Sequence, residues 1–170
     1  MLDTDKIRGL TDKLKKESLT LVLAESCTCG LVSSLIAEIP GISSVLWGSF
    51  VCYTQEAKVS MLGIKNDSLL QYGIVSAQTA KAMAEGALQK SNASIAASCT
   101  GLAGPNGDGS STPVGTVWIA AATKGKEPLV KEYHFNGSRN EIRKKAAIAV
   151  LDIVELFLKG INNGSSSTKK

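Results

Sequence analysis

Short apolar runs of strand length alternate along this chain with longer segments whose apolar residues recur at helical spacing. The first run, residues 19–24, is followed after a polar interval by a helical pattern, and the same succession recurs toward the carboxyl end. A chain that alternates strands and helices in this way packs its helices against a central sheet. The pattern therefore predicts an α/β fold, a layered α/β/α domain.

The individual elements follow from the same periodicities. We predict helices over residues 4–17, 31–39, 55–62, 76–90 and 140–158, and strands over residues 19–24, 45–53, 94–98, 114–122 and 129–135. Ser76 is placed to cap the fourth helix. Because only short connections separate the last three strands, part of the sheet should be antiparallel, which makes it a mixed sheet. Residues 1–159 then form a single domain, and residues 160–170, rich in Gly, Ser and Asn, a flexible polar tail.

Composition excludes several classes of protein. A length of 170 residues fits one domain, and 44% apolar with 20% charged residues is typical of a globular protein rather than a disordered, collagen-like or coiled-coil chain. The formal charge is +4, but three of the positive residues lie in the last twelve positions. Aromatic residues make up only 5% and do not interleave with a basic stripe. This argues against binding to nucleic acid.

Targeting signals and cysteine usage predict the compartment. The sequence holds no apolar run of about 18 residues, and residues 1–16 are polar where a signal peptide would be apolar. The four cysteines are better explained as reduced thiols than as a disulfide framework. We therefore expect a cytoplasmic protein without a membrane segment.

Residues 101–111 contain four glycines directly after a predicted strand. Such a segment allows backbone N–H groups to approach an anion. It is not a P-loop, because Ser110 stands where the phosphate-binding lysine is needed. It is not a dinucleotide fingerprint either, because Thr112 replaces the third glycine. The alternative is a mobile surface loop.

The turn at residues 25–28 joins the first strand to its helix, where α/β sheets place their ligands. Ser26 or Thr28 could simply cap the helix. Alternatively, a serine hydroxyl beside the free N–H groups of a helix start could attack a carbonyl and have its oxyanion stabilised. Such a nucleophile requires a base.

Lysine is a better candidate for this base than histidine. The single histidine, His134, alternates with aromatic residues in a predicted strand, which indicates a position on the sheet surface. Lys58 follows the second strand at the end of the sheet where the loops should gather. Burial can lower the pKa of a lysine enough to leave it neutral. The alternative is an ordinary solvated surface lysine.

Two further groups of residues have possible binding roles. Arg139 and Arg143 are four residues apart and share one helix face, so they could grip a phosphate or carboxylate together, or else pair with Glu141 at a solvated helix end. The cysteines at positions 27, 29, 52 and 99 lack zinc-site spacing and are interpreted as small buried residues. No metal is expected.

Four motifs in order resemble the CinA C-terminal domain family, whose stand-alone members include nicotinamide-nucleotide amidases of the PncC type. They are AESCT at residues 24–28, FVCY at 50–53 with EAK at 56–58, GLAGP at 101–105, and PVGTVW at 113–118. The likeness covers about residues 5–159. One departure is Cys29, which stands at the first glycine of the usual T-G-G ending and adds bulk at the turn. The N-terminal domain of longer CinA proteins is not in this sequence, although Met1 favours a natural start.

The resemblance implies hydrolysis of nicotinamide mononucleotide to nicotinic acid mononucleotide and ammonia without a cofactor. By motif, Ser26 would be the nucleophile, Lys58 the base and Tyr53 a hydrogen-bonding partner close to them. The substrate, a small pyridine nucleotide, would be held by Thr28, Thr100, Gly101, Gly104, Arg139 and Arg143. Helix N–H groups after Ser26, together with backbone N–H groups near Thr100 and Gly101, would form the oxyanion hole. Self-association as a homo-oligomer is also expected.

Two rival functions stay open at this point. One is a non-catalytic nucleotide-binding or regulatory module of the same fold, which Cys29 favours. The other is an amidase that acts on a different small amide.

Overall fold

A five-stranded mixed sheet forms the centre of the molecule. The computed structural model describes residues 4–165, with side chains described up to residue 161. The strands are β1 (Leu21–Glu25), β2 (Leu46–Val51), β3 (Ile95–Gly101), β4 (Thr116–Ala122) and β5 (Leu129–His134), in the spatial order β2-β1-β3-β4-β5. Strand β1 is parallel to β2 and β3, whereas β4 is antiparallel to β3 and β5. The predicted mixed sheet is thereby confirmed.

Helices cover both faces of this sheet. They are α1 (Thr4–Lys16), α2 (Leu31–Ala37), α3 (Gln55–Leu62), α4 (Asn66–Tyr72), α5 (Ala77–Lys90) and α6 (Arg139–Ser165), with a 3-10 turn at Ile42–Ser44. Successive residues of β1 point to opposite faces. Leu21 and Leu23 join a core with α1, α2 and α6, and Val22 and Ala24 join a core with α3, α4 and α5. The layered α/β/α architecture is therefore confirmed. No helix in residues 4–165 is both long and apolar enough to cross a membrane.

The parallel strands place three loops at one edge of the sheet. In the register, Glu25 pairs with Val51 of β2 and with Cys99 of β3, so the carboxyl ends of β1, β2 and β3 lie side by side. The turn that follows β1, the segment that leads into α3, and the glycine-rich segment after β3 consequently gather there. This is the edge at which parallel sheets bind ligands.

Two differences from the predicted elements have local causes. Helix α4 was not predicted, because its sequence is short and polar and only Leu69 is buried. Strand β4 begins at Thr116 rather than at position 114, because Gly115 has φ +96° and forms a turn in which its N–H donates to Leu102 O at 2.7 Å. A Cβ at Gly115 would lie 2.0 Å from Phe135 O, so only glycine fits this turn.

Two helix ends also differ from the prediction. Helix α2 stops at Ala37 instead of residue 39, because Pro40 disfavours helical backbone in the residue before it. Helix α6 continues through residues 160–165, which were predicted to begin the polar tail. Ile161, in this last part of α6, packs against the core, and this contact favours continuation of the helix. Residues 166–170 lie outside the described residues.

Close packing of α5 against the end of α3 gives a testable consequence. A Cβ at Gly86 would lie 2.5 Å from Leu62 O, whereas a Cβ at Gly9 in α1 would meet nothing within 4 Å. Gly86→Ala should therefore lower the free energy of unfolding by about 1–3 kcal/mol, since overpacking outweighs the better helix propensity of alanine. Gly9→Ala should raise it by about 0.5–1 kcal/mol. Urea unfolding measures both, and stabilisation by both substitutions would contradict this packing.

Candidate active site

Ser26 lies immediately after β1, on the turn that leads to α2. Its backbone N–H donates to Cys99 O at 3.1 Å, which extends the pairing with β3, and its carbonyl accepts from Cys29 N at 3.1 Å. The side chain is only 6% exposed. Helix α2 begins at Leu31, after Gly30 in the cap position. The alternative of Ser26 or Thr28 as the cap of this helix is therefore wrong.

Lys58 reaches Ser26 from the neighbouring segment. It lies on α3, whose start is capped by Thr54, the side chain of which accepts from Ala57 N at 3.0 Å. The side chain of Lys58 is fully buried, and its Nζ lies 2.9 Å from Ser26 Oγ and donates to Cys52 O, also at 2.9 Å. The alternative of a solvated surface lysine is wrong. Ser26 and Lys58 are called the dyad below.

The surroundings of Lys58 favour its neutral form. Desolvation by burial lowers the pKa of Lys58 from its ordinary value of 10.5. Burial raises the pKa of the Cys52 thiol to about 11, and a hydrogen bond with Cys99, together with burial, holds the pKa of Cys27 well above its usual value. The thiols of Cys52 and Cys27 are thus uncharged at neutral pH, whereas the hydrogen bond with Cys27 lowers the pKa of Cys99. Among the described residues, no carboxylate pairs with Lys58. A neutral amine in this position can accept a proton from the serine hydroxyl.

A cavity of about 220 Å³ lies next to the turn that carries Ser26, and neither Ser26 nor Lys58 is among its lining residues. Five of the predicted site residues line it: Tyr53, Thr100, Gly101, Gly104 and Arg139. Its wall also includes Cys27, the chain neighbour of Ser26, together with Asn106 and Asp108 of the glycine-rich segment. This segment is consequently a wall of the cavity.

The glycines of this wall are required by packing. A Cβ at Gly101 would lie 2.7 Å from Thr116 O, and a Cβ at Gly104 would lie 2.6 Å from Val114 Cγ1. Thr100 is fully buried, and its hydroxyl donates to Ile74 O at 2.8 Å. Gly101 and Gly104 are therefore explained by their close approach to the neighbouring segment, residues 114–117, rather than to an anion.

Arg139 and Tyr53 form a bridge across the cavity. Arg139 donates from Nη1 to Gly104 O and from Nη2 to the Tyr53 hydroxyl, both at 2.7 Å. Tyr53 is consequently a partner of Arg139 and not, as predicted, of the dyad. Glu141 accepts from Ser138 N and Oγ at 2.8 and 2.7 Å, which is the carboxylate half of a capping box at the start of α6. The alternative pairing of the arginines with Glu141 is not observed.

Arg143 and Thr28 support the turn instead of lining the cavity. Arg143 donates from Nε to Cys27 O at 3.2 Å and from Nη2 to Thr28 O at 2.7 Å. The Thr28 side chain is fully buried, with its hydroxyl 2.8 Å from Glu25 Oε2 and 3.1 Å from Cys99 Sγ. The predicted direct contacts of these two side chains with substrate do not fit this arrangement. Neither residue is among those that line the cavity, and Arg143 Nε and Nη2 and the Thr28 hydroxyl are engaged by the turn that carries Ser26.

Glu25 is a residue of this site that the sequence analysis missed. Its buried carboxylate accepts from the N–H groups of Val32 and Ser33, the free donors in the first turn of α2. Those N–H groups are therefore not available for the predicted oxyanion hole. The N–H groups of Cys27 and Thr28 are the remaining candidates close to Ser26. An acidic residue at a strand end just before a predicted helix is the signal that could have revealed this cap.

Cys29 does not enter the cavity. It is exposed, unlike the other three cysteines, so its prediction as a buried residue is wrong. Its backbone has φ +51°, a conformation that costs a residue with a Cβ about 1–2 kcal/mol. Cys29→Gly should therefore raise the free energy of unfolding by about 0.5–1 kcal/mol, the gain being reduced by the extra freedom of glycine in the unfolded chain. Urea unfolding checks this, and a lower stability would contradict the strain.

The His, Cys, Asp and Glu side chains of the described residues do not meet the needs of a metal site. Within residues 4–165, no group of three or more His, Cys, Asp or Glu side chains could hold a metal ion. His134 is exposed at the end of β5, which confirms its prediction as a residue of the sheet surface.

Comparisons with known proteins agree with this architecture. The model of the CinA C-terminal domain family matches residues 4–158. A CinA-like protein of Thermotoga neapolitana is 41% identical over 159 residues, which are 93% of this chain and 38% of the relative. A CinA-like protein of Kosmotoga olearia is 43% identical over 145 residues, which are 85% of this chain and 35% of the relative. The chain thus spans less than two fifths of the length of these relatives.

Solved structures match over nearly the full chain. The competence/damage inducible protein CihA from Agrobacterium tumefaciens superposes with a TM-score of 0.83 at 36% identity, covering 92% of this chain and 93% of the other. A CinA superfamily protein from Escherichia coli also gives a TM-score of 0.83, at 33% identity, covering 91% of each chain. The chain therefore belongs to the CinA C-terminal domain family.

Proposed function

We propose that this domain hydrolyses the carboxamide of nicotinamide mononucleotide, with Ser26 as the nucleophile and Lys58 as the base. The observation that carries the proposal is the dyad: a fully buried lysine lies 2.9 Å from a serine hydroxyl and has a lowered pKa. An amide is a weak electrophile, so its hydrolysis requires an activated nucleophile of this kind. The substrate itself is the one that the resemblance to family amidases implies.

In the acylation step, Ser26 Oγ attacks the carboxamide carbon while neutral Lys58 takes the hydroxyl proton. The C–O bond forms, and the carbonyl oxygen becomes an oxyanion that the N–H groups of Cys27 and Thr28 are close enough in the chain to stabilise. The C–N bond then breaks, and the nitrogen leaves as ammonia with the proton from Lys58. Water then attacks the resulting ester while Lys58 accepts its proton. Cleavage of the ester bond releases the carboxylate, and Lys58 returns that proton to Ser26 Oγ, which restores both residues.

The cavity supports a small ligand rather than a dinucleotide. Its volume of about 220 Å³ lies below the roughly 300–1,000 Å³ of sites that enclose drug-sized ligands, so a mononucleotide would fill it and a dinucleotide would extend beyond it. Arg139 lies at its wall on an exposed helix start and uses two of its donors on Gly104 and Tyr53. An arginine fork at this place suits a phosphate better than a neutral group. Arg139, and not Arg143, is therefore the proposed phosphate ligand.

Ammonia release from a panel of amides tests this function. Nicotinamide mononucleotide, nicotinamide and nicotinamide adenine dinucleotide would be compared with the purified domain at equal concentrations. We expect the mononucleotide to be hydrolysed fastest, because it alone combines the carboxamide with a single phosphate monoester. Faster release from nicotinamide, or from a different small amide, would change the substrate while keeping the reaction class.

A non-catalytic nucleotide-binding module is the second candidate function, and one observation favours it. Ser26 is 6% exposed and Lys58 fully enclosed, so the dyad is barely open to a ligand in the cavity. If the folded domain binds the mononucleotide in calorimetry but releases no ammonia, this second function is the correct one. The bulk of Cys29 at the turn does not favour such a module, because its side chain is exposed and does not line the cavity.

A further inference from the structure

The carboxylate of Glu25 is enclosed by four hydrogen-bond donors. Glu25 ends β1, directly before Ser26, and its side chain is only 1% exposed. The donors are Ser33 N at 3.0 Å and Ser49 Oγ at 3.1 Å on Oε1, with Thr28 Oγ1 at 2.8 Å and Val32 N at 3.0 Å on Oε2. No Lys or Arg among the described residues pairs with it. A buried carboxylate is tolerated without a cation only where its oxygens are satisfied in this way.

These bonds close the turn that presents Ser26. Three of the four donors follow Ser26 in the chain, in the turn or in the first turn of α2, so the carboxylate ties both ends of residues 25–33 together. The backbone of Glu25 also reaches the other member of the dyad. Glu25 O accepts from Cys52 N at 2.9 Å, and Cys52 O accepts from Lys58 Nζ at 2.9 Å. Ser26 is thus connected to Glu25 through the peptide chain, and Lys58 is connected to it through the hydrogen bonds of Cys52.

We propose that Glu25 is a positioning residue that holds Ser26 Oγ in line with Lys58 Nζ, and that it does so only as a carboxylate. The inference rests on the proposed function in that Ser26 is taken as the nucleophile. Glu25 is not a catalytic residue, because both of its oxygens are occupied by donors of the fold. A misplacement of about 1 Å at a reacting group can cost about 100-fold in rate, so a residue of this kind acts strongly without touching substrate.

The donor pattern explains why the charge is needed. Each oxygen of Glu25 faces one backbone N–H, from Ser33 on Oε1 and from Val32 on Oε2. A glutamine has one oxygen and one NH₂ group, so its NH₂ would meet one of these N–H groups, donor against donor. The hydroxyls of Thr28 and Ser49 can rotate and accept a bond, but a backbone N–H cannot. A glutamine at position 25 can therefore not accept from both the Val32 and the Ser33 N–H groups.

The test compares Glu25→Gln with a matched loss of a buried hydrogen bond elsewhere. Ser98→Ala removes the bond from Ser98 Oγ to Ala80 O, 2.6 Å long and outside the cavity wall. Two readouts are used: kcat and KM for nicotinamide mononucleotide, and the rate at which a fluorophosphonate probe labels Ser26. For Glu25→Gln we expect kcat and the labelling rate to fall about 100-fold and KM to change less than about threefold. Ser98→Ala should lower Tm but keep both rates within about threefold.

Several outcomes would overturn the inference. A folded Glu25→Gln variant with kcat and labelling within about threefold of wild type does so while leaving the proposed function intact. If Glu25→Gln does not fold, Thr28→Val decides, because it keeps the carboxylate and removes one of its four donors, together with the contact of the Thr28 hydroxyl with Cys99 Sγ. We expect it to lower both rates about tenfold, and unchanged rates would overturn the inference.

The labelling readout separates this inference from the proposed function. If the wild type is labelled at Ser26 but releases no ammonia, the proposed substrate fails and the labelling rates alone decide on Glu25. If the wild type is neither labelled nor active, both proposals fail, because no reactive serine exists for Glu25 to position.

Discussion

Ser26→Ala is expected to reduce ammonia release from nicotinamide mononucleotide by at least about 1,000-fold, while the domain stays folded. The loss follows from the geometry of the dyad. Lys58 Nζ has two hydrogen-bond partners in the described residues, Ser26 Oγ and the carbonyl of Cys52, and only the hydroxyl can attack a carbonyl carbon. No second hydroxyl bonded to Lys58 can replace it. The lost hydrogen bond should cost about 0.5–1.5 kcal/mol of stability, which leaves the fold in place.

The control for this variant is Ser34→Ala, on the exposed side of α2. It makes the same chemical change eight positions along the chain and should keep the wild-type rate. Steady-state ammonia release and circular dichroism would be recorded for both proteins. A folded Ser26→Ala protein that retains more than about a tenth of the wild-type rate would exclude Ser26 as the nucleophile.

Lys58→Met should lower kcat by about 100-fold to 10,000-fold, the usual contribution of a general base. Methionine is close to lysine in length and flexibility, so it fills the buried site without an amine. In the wild type, the rate should rise with pH as Lys58 loses its proton, with a midpoint below 10.5, because burial lowers this pKa. Lys58→Met should lose this rise, and Lys65→Met, on an exposed lysine, should keep it.

Stability should depend on pH in the corresponding direction. Because the pKa of Lys58 is lower in the folded than in the unfolded chain, the unfolded chain binds more protons between the two values. The contribution of Lys58 to stability therefore increases as pH rises through the lowered pKa toward 10.5, and it is lost as pH falls through the lowered pKa. Urea unfolding at several pH values should show this difference between wild type and Lys58→Met. Parallel stability curves would contradict a lowered pKa.

The sequence predicted the approximate position of the dyad because the signals involved are short in range. A strand of continuous apolar residues before Ser26, and a second strand before Lys58, lead to two parallel strands. The carboxyl ends of parallel neighbours meet at one edge, so residues that follow them come together. The burial of Lys58 could not be predicted from spacing, since it depends on how α3 packs over the sheet.

The roles of the two arginines show where sequence reasoning fails. Arg139 and Arg143 share one face of α6, as a spacing of four residues predicts. Their guanidinium groups nevertheless reach different targets: Arg139 bonds to Gly104 and Tyr53 in the cavity wall, and Arg143 to the carbonyls of the serine turn. Which target each one reaches depends on the path of loops that are distant in sequence. Thr28 was misassigned for the same reason, because its hydrogen bond to Glu25 forms only once the turn is folded.

A covalent intermediate on Ser26 is the most direct evidence for the proposed reaction. Rapid acid quenching of wild-type protein with nicotinamide mononucleotide, followed by mass spectrometry of the peptide that contains Ser26, would detect it. We expect an adduct equal in mass to the substrate minus ammonia, formed in wild type and absent from Ser26→Ala. Turnover at the wild-type rate in Ser26→Ala, with no adduct on Ser26 at any quench time, would contradict the serine-lysine mechanism.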